Sequence, residues 1–170
     1  SLDKSTTDVV IYIGDGRFHL EAIMIANPAL PYYRYDPYSK VISAEGYAHD
    51  QLHHNRKNAI AACAGARVFG VIQGTLGRQG NPRVVDRVVS LLTAMGKECV
   101  VVLLSEITPQ KLATFEGIDA WVQIACPRLS IDWGHHFAAP LLSSYEAQVA
   151  LAASAWQPSY PMDYYAKAGG

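Results

Sequence analysis

The sequence predicts an α/β fold in which a parallel sheet lies between two layers of helices, as in Rossmann-like domains. Short, nearly continuous apolar runs, typical of strands that are buried on both faces, alternate with segments of helical pattern. Loops rich in glycine or polar residues follow four of these runs, where a parallel strand leads into its crossover. With 170 residues, half of them hydrophobic, the chain is predicted to form a single domain over residues 1–170.

The boundaries of the elements follow from local residue preferences. Runs of β-branched and other apolar residues predict strands at residues 9–13, 32–35, 67–73, 99–104 and 119–125. Helical patterns predict helices at residues 18–26, 45–66, 82–95, 109–115 and 145–155. The clearest start signal is Asn81-Pro82, because asparagine caps a helix and proline suits its first turn. Gly96 then ends that helix.

Charge and apolar content exclude several classes of protein. Lys and Arg number 14 against 15 Asp and Glu, so no net charge attracts nucleic acid or an anionic membrane. No apolar run approaches the roughly 20 residues of a membrane-spanning helix, and residues 1–8 lack the apolar centre of a signal peptide. The three cysteines, Cys63, Cys99 and Cys126, form no close pair and do not indicate a disulfide framework. The sequence therefore predicts a soluble, cytoplasmic protein.

The first unusual loop, residues 14–19, follows the first predicted strand. It begins like a dinucleotide-binding fingerprint, but His19 stands where the third glycine should be. Asp15, Arg17 and His19 are candidate cofactor-binding residues, with Arg17 facing an anionic group of the ligand and His19 making a polar contact. The equally open alternative is a tight turn in which Arg17 pairs with a carboxylate.

The second unusual loop, residues 74–80, lies between a predicted strand and the helix that Asn81 caps. Its three glycines permit close approach of the backbone to a ligand, and the following helix presents unpaired N–H groups. Arg78 could add a bidentate contact to a carboxylate. The loop lacks the lysine and the spacing of a P-loop, so it does not predict a triphosphate site. The candidate cofactor-binding residues here are Gly74, Gly77, Arg78, Gln79 and Gly80.

Two further loops follow predicted strands. Ser105 and Glu106 come directly after residues 99–104, where they either bind a ligand or cap the next helix, and capping is the interpretation we favour. Cys126 ends an apolar strand, and Pro127 then frees the chain from the sheet. A thiolate at the carboxyl end of a strand suits a soft metal. Cys126 is therefore the candidate metal ligand.

The remaining cysteines and histidines do not predict a site by themselves. Cys63 falls in the long predicted helix and Cys99 at the start of a strand, as expected of small buried apolar residues. His49 and His53 have the i, i+4 spacing of a helix face, but no glutamate accompanies them as in a zinc protease. We interpret His49, His53 and His54 as part of a solvated helix face.

Four segments together resemble the diphthamide biosynthesis enzymes. They are residues 12–21, 35–39, 74–80 and 125–134, which read YIGDGRFHLE, YDPYS, GTLGRQG and ACPRLSIDWG. The resemblance extends from about Val9 to Tyr165. It implies membership of a family with three similar parallel-sheet domains, each of which gives one cysteine to a shared 4Fe–4S cluster. Cys126 matches the cysteine of the third domain.

The resemblance also implies the chemistry and the partners. In this family the reduced cluster, whose fourth iron is open, binds S-adenosylmethionine as a substrate and cleaves the bond between its sulfur and Cγ. The 3-amino-3-carboxypropyl group is then attached to a histidine of elongation factor 2. The implied partners are a homologous second subunit, elongation factor 2 itself and a small iron-binding protein that donates electrons.

Since the sequence begins where the third domain of the family begins, we expect the first two domains and their cysteines to be absent. The fragment alone should then neither hold the cluster nor turn over. The main hypothesis is part of a 3-amino-3-carboxypropyl transferase, and the alternative is an interaction domain that binds the partner subunit or elongation factor 2 without chemistry. A free-standing nucleotide-binding or zinc enzyme fits less well, because residues 14–19 miss the fingerprint and no closed ligand set is present.

Overall fold

The computed structural model describes residues 2–3, 5–77 and 79–164. The chain divides into two compact units, one comprising Ser1–Leu52 and Gln157–Met162, the other His53–Trp156 and Asp163–Gly170. Strands and helices alternate along the second unit, as the sequence predicts, whereas two strands of the first unit follow one another directly. Over the described ranges, none of the helices has the length and apolar character needed to cross a membrane.

Among its described residues, the first unit has three strands and one complete helix. Its elements are β1 (Val10–Ile13), α1 (Phe18–Ala26), β2 (Tyr32–Asp36) and β3 (Val41–Glu45). β1 and β2 are parallel, and the buried side chains of Leu20 and Met24 pack α1 against Tyr32. The predictions of β1, α1 and β2 are confirmed to within one residue.

The third strand, β3, has no counterpart in the sequence prediction, which assigned only parallel strands. It pairs antiparallel with β2, with Tyr32 opposite Glu45. The cause is the short connection of residues 37–40. The carboxylate of Asp36 accepts the N–H of Tyr38 at 2.8 Å, and a turn of this length returns the chain as a hairpin rather than through a crossover. Because Glu45 belongs to β3, the helix predicted from residue 45 begins later.

The second unit contains a four-stranded, wholly parallel sheet in the order β5-β4-β6-β7. The helix α2 (His49–Ala62) leads into it. The elements that follow are β4 (Val68–Gly74), α3 (Pro82–Ala94), β5 (Glu98–Leu104), α4 (Pro109–Leu112), β6 (Ala120–Ile124), α5 (Arg128–Trp133), a 3-10 helix (Gly134–His136), β7 (Leu141–Ser143) and α6 (Ser144–Ala150). The predicted parallel sheet is confirmed.

Helices cover both faces of this sheet. On one face, Val71 of β4 and Val122 of β6 belong to the cluster that includes Leu92 of α3. On the other face, Ile72 belongs to the cluster that includes Leu112 of α4. Neighbouring residues of a strand point to opposite faces, so β4 is buried on both, as its continuous apolar run predicts. The three-layer α/β arrangement is therefore confirmed for the second unit.

The helix boundaries show where local signals suffice. Asn81 caps α3 as predicted, since its side chain accepts the N–H of Arg83 at 3.0 Å, and Gly96 has a φ of +69° just beyond the helix. The predicted helix 145–155 ends at Ala150, because Ala152 adopts a φ of +54°. α5 and β7 were not predicted from the sequence, since elements of six and three residues show little periodicity.

Candidate functional site

The carboxyl ends of three neighbouring strands of the second unit carry candidate residues. Gly74 ends β4, Ser105 follows β5, and Cys126 lies two residues beyond β6. The chain passes from β4 to β5 on one side and then to β6 on the other, which makes the end of β4 a topological switch point. Ligands of open parallel sheets bind in the crevice at such a point. The N–H of Thr75 donates to the carbonyl of Leu104 at 2.9 Å and fixes the beginning of the loop there.

The loop of residues 74–80 closes back on the strand from which it starts. Gly77 and Gly80 have φ values of +63° and +77°, which glycine adopts without strain. The side-chain N–H of Gln73 donates to the carbonyl of Gly80 at 3.1 Å. The end of the loop, just before Asn81, is thus tied to the last turn of β4. The N-terminus of α3 consequently lies beside the switch point.

The beginning of the same loop lies against the end of β6. A Cβ atom added to Gly74 would be 2.9 Å from the Cβ of Ala125 and 3.3 Å from the carbonyl oxygen of Ile124, closer than side chains normally approach. Glycine is required here because two backbones meet. Among the other predicted residues of the loop, Gln79 is half-buried. Arg78 lies outside the described residues, so its contact with a carboxylate stays a prediction.

Cys126 lies beyond the carboxyl end of β6, and hydrogen bonds fix its backbone. The residue is half-buried and its thiol is free of any disulfide. Its carbonyl oxygen accepts the N–H of Leu129 at 3.1 Å and a side-chain N–H of Gln123 at 3.2 Å. Two hydrogen bonds therefore define the direction in which the chain leaves β6, while the residue keeps partial access to solvent.

Gln123 supports Cys126, although the sequence prediction did not include it. Its side chain is completely buried in β6, and the amide N–H groups donate to the Cys126 carbonyl and to the Ser130 hydroxyl, the latter at 3.1 Å. Its Oε1 atom has no hydrogen-bond partner among the described residues. A buried amide is costly unless it is hydrogen-bonded. The only signal in the sequence is one polar residue inside the run Ala-Trp-Val-Gln-Ile.

A buried ion pair connects four elements of the second unit. Nε of Arg56 in α2 lies 2.6 Å from Oε1 of Glu146, and the same guanidinium donates to the carbonyls of Ser130 and Leu141 at 2.7 Å. Glu146 also accepts the N–H of Ser143 at 2.8 Å and completes a capping box at the start of α6. The pair therefore holds α5, which follows Cys126, in place against α2 and β7.

Ser105 and Glu106 do not cap the next helix, contrary to the interpretation that we favoured. Thr108 caps α4, because its hydroxyl accepts the N–H of Lys111 at 3.2 Å. Ser105 and Glu106 are exposed at the end of β5, and the Glu106 carboxylate lies 3.3 Å from the Lys111 ammonium group. The cap is Thr108 rather than Ser105 because Pro109 occupies the first helical turn. A role of Ser105 and Glu106 in ligand binding stays a prediction.

In the first unit, Arg17 is engaged by carboxylates. Its guanidinium lies 3.3 Å from Glu45 and 3.4 Å from Glu21, and it donates to the carbonyl of Gly46 at 3.1 Å. The arrangement is the tight turn with a paired arginine that we gave as the alternative for this loop. A bound anion would have to share Arg17 with these two carboxylates.

The other two candidate residues of this loop, Asp15 and His19, are exposed. The carbonyl of Asp15 accepts an N–H of Arg34 at 2.7 Å, and the ring of His19 meets that of Phe18 edge-on. Cofactor binding by Asp15 and His19 stays a prediction.

The carboxylate of Glu45, which pairs with Arg17, has a pKa below its usual value. The main cause is the hydrogen bond from the Ser43 hydroxyl, and the neighbouring arginines act in the same direction.

A cavity of about 510 Å³ opens on the second unit. Its walls come from the segment after β5 and from the segment after Cys126. Trp133 of α5 is 58% exposed there, and its ring lies 5.4 Å from that of His136. The cavity thus combines an open aromatic ring with the polar side chains of Thr108, Gln110 and His136, so it offers both a stacking surface and hydrogen-bonding groups. The lining residues include Ile107, Thr108, Gln110, Leu129, Trp133 and Phe137.

The other thiols and histidines do not complete a metal site. In the part of the chain that the structure describes, no three side chains of His, Cys, Asp or Glu are grouped so that they could hold a metal ion. Burial raises the pKa of Cys63 to about 11, so its thiol stays protonated. His53 is not simply solvated as predicted, because its Nδ1 accepts the indole N–H of Trp156 at 3.1 Å. A role of Cys126 as a metal ligand stays a prediction.

The second unit is a doubly wound parallel α/β unit with a free cysteine at its switch point. Comparison with known proteins assigns the family. Residues 1–161 match the diphthamide synthesis proteins, and the chain belongs to that family. The resemblance inferred from the four sequence segments is therefore confirmed.

The most informative relatives are much longer than this chain. It is 61% identical over 160 residues to 2-(3-amino-3-carboxypropyl)histidine synthase subunit 1 of Gallus gallus, a match that covers 94% of this chain and 39% of the relative. The corresponding Homo sapiens protein is 56% identical, with 94% and 36% covered. The chain therefore spans less than two fifths of the length of these relatives.

Solved structures agree with this assignment. The crystal structure of Dph2 from Pyrococcus horikoshii with a 4Fe–4S cluster superposes with a TM-score of 0.75 at 26% identity, over 94% of this chain and 44% of that chain. A second crystal structure of the same archaeal protein gives a TM-score of 0.73 at 27% identity. The chain thus shares its fold with Dph2.

Proposed function

We propose that this chain is the part of a 3-amino-3-carboxypropyl transferase that carries one cysteine ligand of a 4Fe–4S cluster. The proposed reaction is the first step of diphthamide biosynthesis, in which S-adenosylmethionine donates the group to a histidine of elongation factor 2. The observation that carries the proposal is the position of Cys126, half-buried at the switch point on a backbone fixed by Gln123 and Leu129. The names of the relatives and the cluster in archaeal Dph2 support it.

The residues around Cys126 fit one corner of a cluster. Iron–sulfur clusters are held by cysteine thiolates. Cys126 follows β6 at the carboxyl ends of the parallel strands, where ligands of such sheets bind. When bound, the cluster would supply the electron that cleaves the S–Cγ bond of S-adenosylmethionine. The other thiolates would come from outside this chain, because the described residues contain no three His, Cys, Asp or Glu side chains grouped to hold a metal ion. We infer that the chain alone neither retains the cluster nor turns over.

The chain's own residues would orient the substrate beside Cys126. The first-turn N–H groups of α3 are not unpaired as predicted, because that of Arg83 donates to the Asn81 side chain and that of Val84 to the Asn81 carbonyl. The substrate carboxylate would instead be attracted by the positive end of the helix dipole, and Arg78 is predicted to add a direct contact. The exposed ring of Trp133 offers a stacking surface for a planar base. Gln123 and Gln73 act indirectly, because they hold the backbones of Cys126 and Gly80.

The proposed partners are those of the family. A homologous second subunit would complete the enzyme, a small iron-binding protein would donate electrons, and elongation factor 2 would present the histidine. The net charge of −1 favours none of them through long-range attraction. Short-range complementarity at the surface would therefore have to provide specificity.

Anaerobic reconstitution with iron and sulfide tests the role of Cys126. The full-length subunit with its partner is compared as wild type, as Cys126→Ala and as Cys99→Ala, a matched control because Cys99 is also half-buried and free. We expect Cys126→Ala to lose the visible absorption of the cluster, the bound iron of about one cluster, and the cleavage of S-adenosylmethionine. The Cys99→Ala variant should retain all three.

Two outcomes would contradict the proposal. A cluster that survives Cys126→Ala in the full-length complex would exclude this thiol as a ligand. A stable, active cluster on this chain alone would show that the other ligands do not lie outside it. If Cys126→Ala retains both cluster and activity but this chain captures the partner subunit, the interaction-domain alternative is favoured instead.

A further inference from the structure

Within the described parts of the chain, the outer edge of β1 is not paired with another strand. β1 pairs with β2 alone, and the N–H groups of Val10 and Gly14 donate to the carbonyls of Pro31 and Tyr35, both at 3.0 Å. Successive backbone groups of a strand point to alternate sides, so the N–H groups of the intervening odd-numbered residues point away from β2. No other strand of the described residues pairs at that edge.

The same strand exposes apolar side chains on one face of its sheet. Ile11 and Ile13 are 56% and 70% exposed, and Ile42 of β3 is 60% exposed. The register places Ile13 beside Tyr35, which lies opposite Ile42, so these side chains share one face. The opposite face is covered by α1. Parallel strands joined by a crossover helix normally have both faces covered, and large open apolar patches mark interaction sites.

β1 also lacks the features that protect a natural edge strand. Such strands carry lysine, proline or a bulge that prevents pairing with another strand. β1 reads Val-Ile-Tyr-Ile, without charge, proline or glycine. In the second unit, β6 (Ala-Trp-Val-Gln-Ile) likewise has no charge, proline or glycine, and it is paired on both sides, with β4 and β7.

The length of the relatives identifies the occupant. The matched residues make up 39% and 36% of the Gallus gallus and Homo sapiens relatives, so about three fifths of those proteins lie outside the match. We propose that β1 is an internal strand of a larger sheet in the full-length protein, and that a strand and a helix from the sequence outside this chain cover its open edge and its apolar face. This proposal is independent of the reaction and of Cys126.

Amide exchange in the full-length protein tests the strand pairing. With 15N-labelled isoleucine, the N–H groups of Ile11 and Ile13 should exchange at least ~100-fold more slowly than in an unstructured peptide, as should that of Ile72 in the buried strand β4. Exchange at the rate of an unstructured peptide would overturn the proposal. Protection that disappears on 100-fold dilution would also overturn it, since a second copy would then be the occupant. Protection that requires the partner subunit would also overturn the proposal, since the partner would then be the occupant.

Substitution tests the covered face independently. In the full-length protein, Ile13→Lys would bury a charge, and we expect the thermal midpoint to fall by about 5 °C or more. Tyr38→Lys is the matched control, because Tyr38 is 84% exposed in the β2–β3 turn, and it should leave the midpoint unchanged. Equal midpoints for the two variants would overturn the proposal, even if the Ile11 amide is protected.

Discussion

The sheets of the two units differ in how completely they are buried. In the second unit, Val71, Ile72 and Val122 are inaccessible, because helices cover both faces. In the first unit, Ile13 and Ile42 are mostly exposed on the face opposite α1. β1 of the first sheet is as apolar as the inner strands of the second, whereas β2 and β3 carry Arg34, Asp36 and Glu45. Over the described residues, the second unit therefore covers its inner strands β4 and β6 on both faces, although Leu103 of its outer strand β5 is 63% exposed, whereas helix α1 covers one face of the first sheet.

The charged groups of the two units differ in the same way. Arg56 and Glu146 of the second unit form an ion pair with almost no exposure. In the first unit, Arg17 is about half exposed where it meets Glu45. An exposed pair contributes little because water screens it, while a buried pair is costly to break because one charge is left without a partner. The largest effects of substitution should therefore fall on the second unit.

Removing one partner of the buried pair tests this difference most strongly. Glu146→Leu leaves the guanidinium of Arg56 buried without a carboxylate and also breaks the capping box. We expect a loss of about 3–5 kcal/mol in the free energy of unfolding. Urea unfolding followed by tryptophan fluorescence measures it, since all three tryptophans belong to the second unit: Trp121, Trp133 and Trp156.

The double substitution provides the control for this experiment. Arg56→Met with Glu146→Leu removes both charges and should lose less than Glu146→Leu alone, because no unpaired charge remains. Glu116→Gln on the surface should change the free energy of unfolding by no more than about 0.5 kcal/mol. A single variant as stable as the double variant would mean that leaving the charge of Arg56 buried without Glu146 costs nothing.

A pair of isoleucines compares the two sheets directly. Ile124→Ala removes a completely buried side chain from β6, and we expect a loss of about 2–5 kcal/mol by urea unfolding. Ile13→Ala removes a side chain that is 70% exposed in β1 of this chain, and it should cost no more than about 0.5 kcal/mol. Because the first unit has no tryptophan, amide exchange of Leu20 in α1 reports on it. Similar losses for both variants would contradict the contrast between the sheets.

Much of the second unit could be predicted from sequence because its signals are local. A continuous apolar run predicted β4, and Asn81 with Pro82 predicted the start of α3. The contacts that fix the candidate site are not local. Arg56 and Glu146 are separated by 90 residues, so only the folded chain shows that they meet. Gln123 is a single polar residue inside an apolar run, and that pattern does not tell whether its side chain supports the backbone or binds a ligand.

The exposed sheet of the first unit could not be predicted for a different reason. The run Val-Ile-Tyr-Ile of β1 is as apolar as the strands of the second unit, and apolar content alone predicts burial. Whether a strand is buried depends on what packs against it, which a single strand does not encode. The place of Cys126 after an apolar strand made it a candidate metal ligand, but a lone cysteine is usually a small buried residue, so the assignment to a cluster came only from the resemblance of a longer segment.

Acid stability gives the smallest of these effects and separates the units once more. Each unit has an aspartate whose pKa lies below its usual value because it accepts backbone N–H groups. Asp119 accepts those of Val68 and Arg67 at the start of β4, and Asp36 accepts that of Tyr38 in the β2–β3 turn. A carboxylate with a lower pKa in the folded state stabilises that state above its unfolded value, and the contribution is lost as the pH falls through the folded pKa.

Asp119→Asn should therefore flatten the decline in stability of the second unit between about pH 5 and pH 2, because the amide does not titrate. Asp36→Asn should leave the tryptophan-detected decline unchanged, since Asp36 lies in the first unit and all tryptophans in the second. The midpoint of urea unfolding at each pH measures both. If Asp36→Asn flattened the curve as much as Asp119→Asn, the two units would unfold as one, and the contrast between a self-contained core and an incomplete one would apply to burial but not to stability.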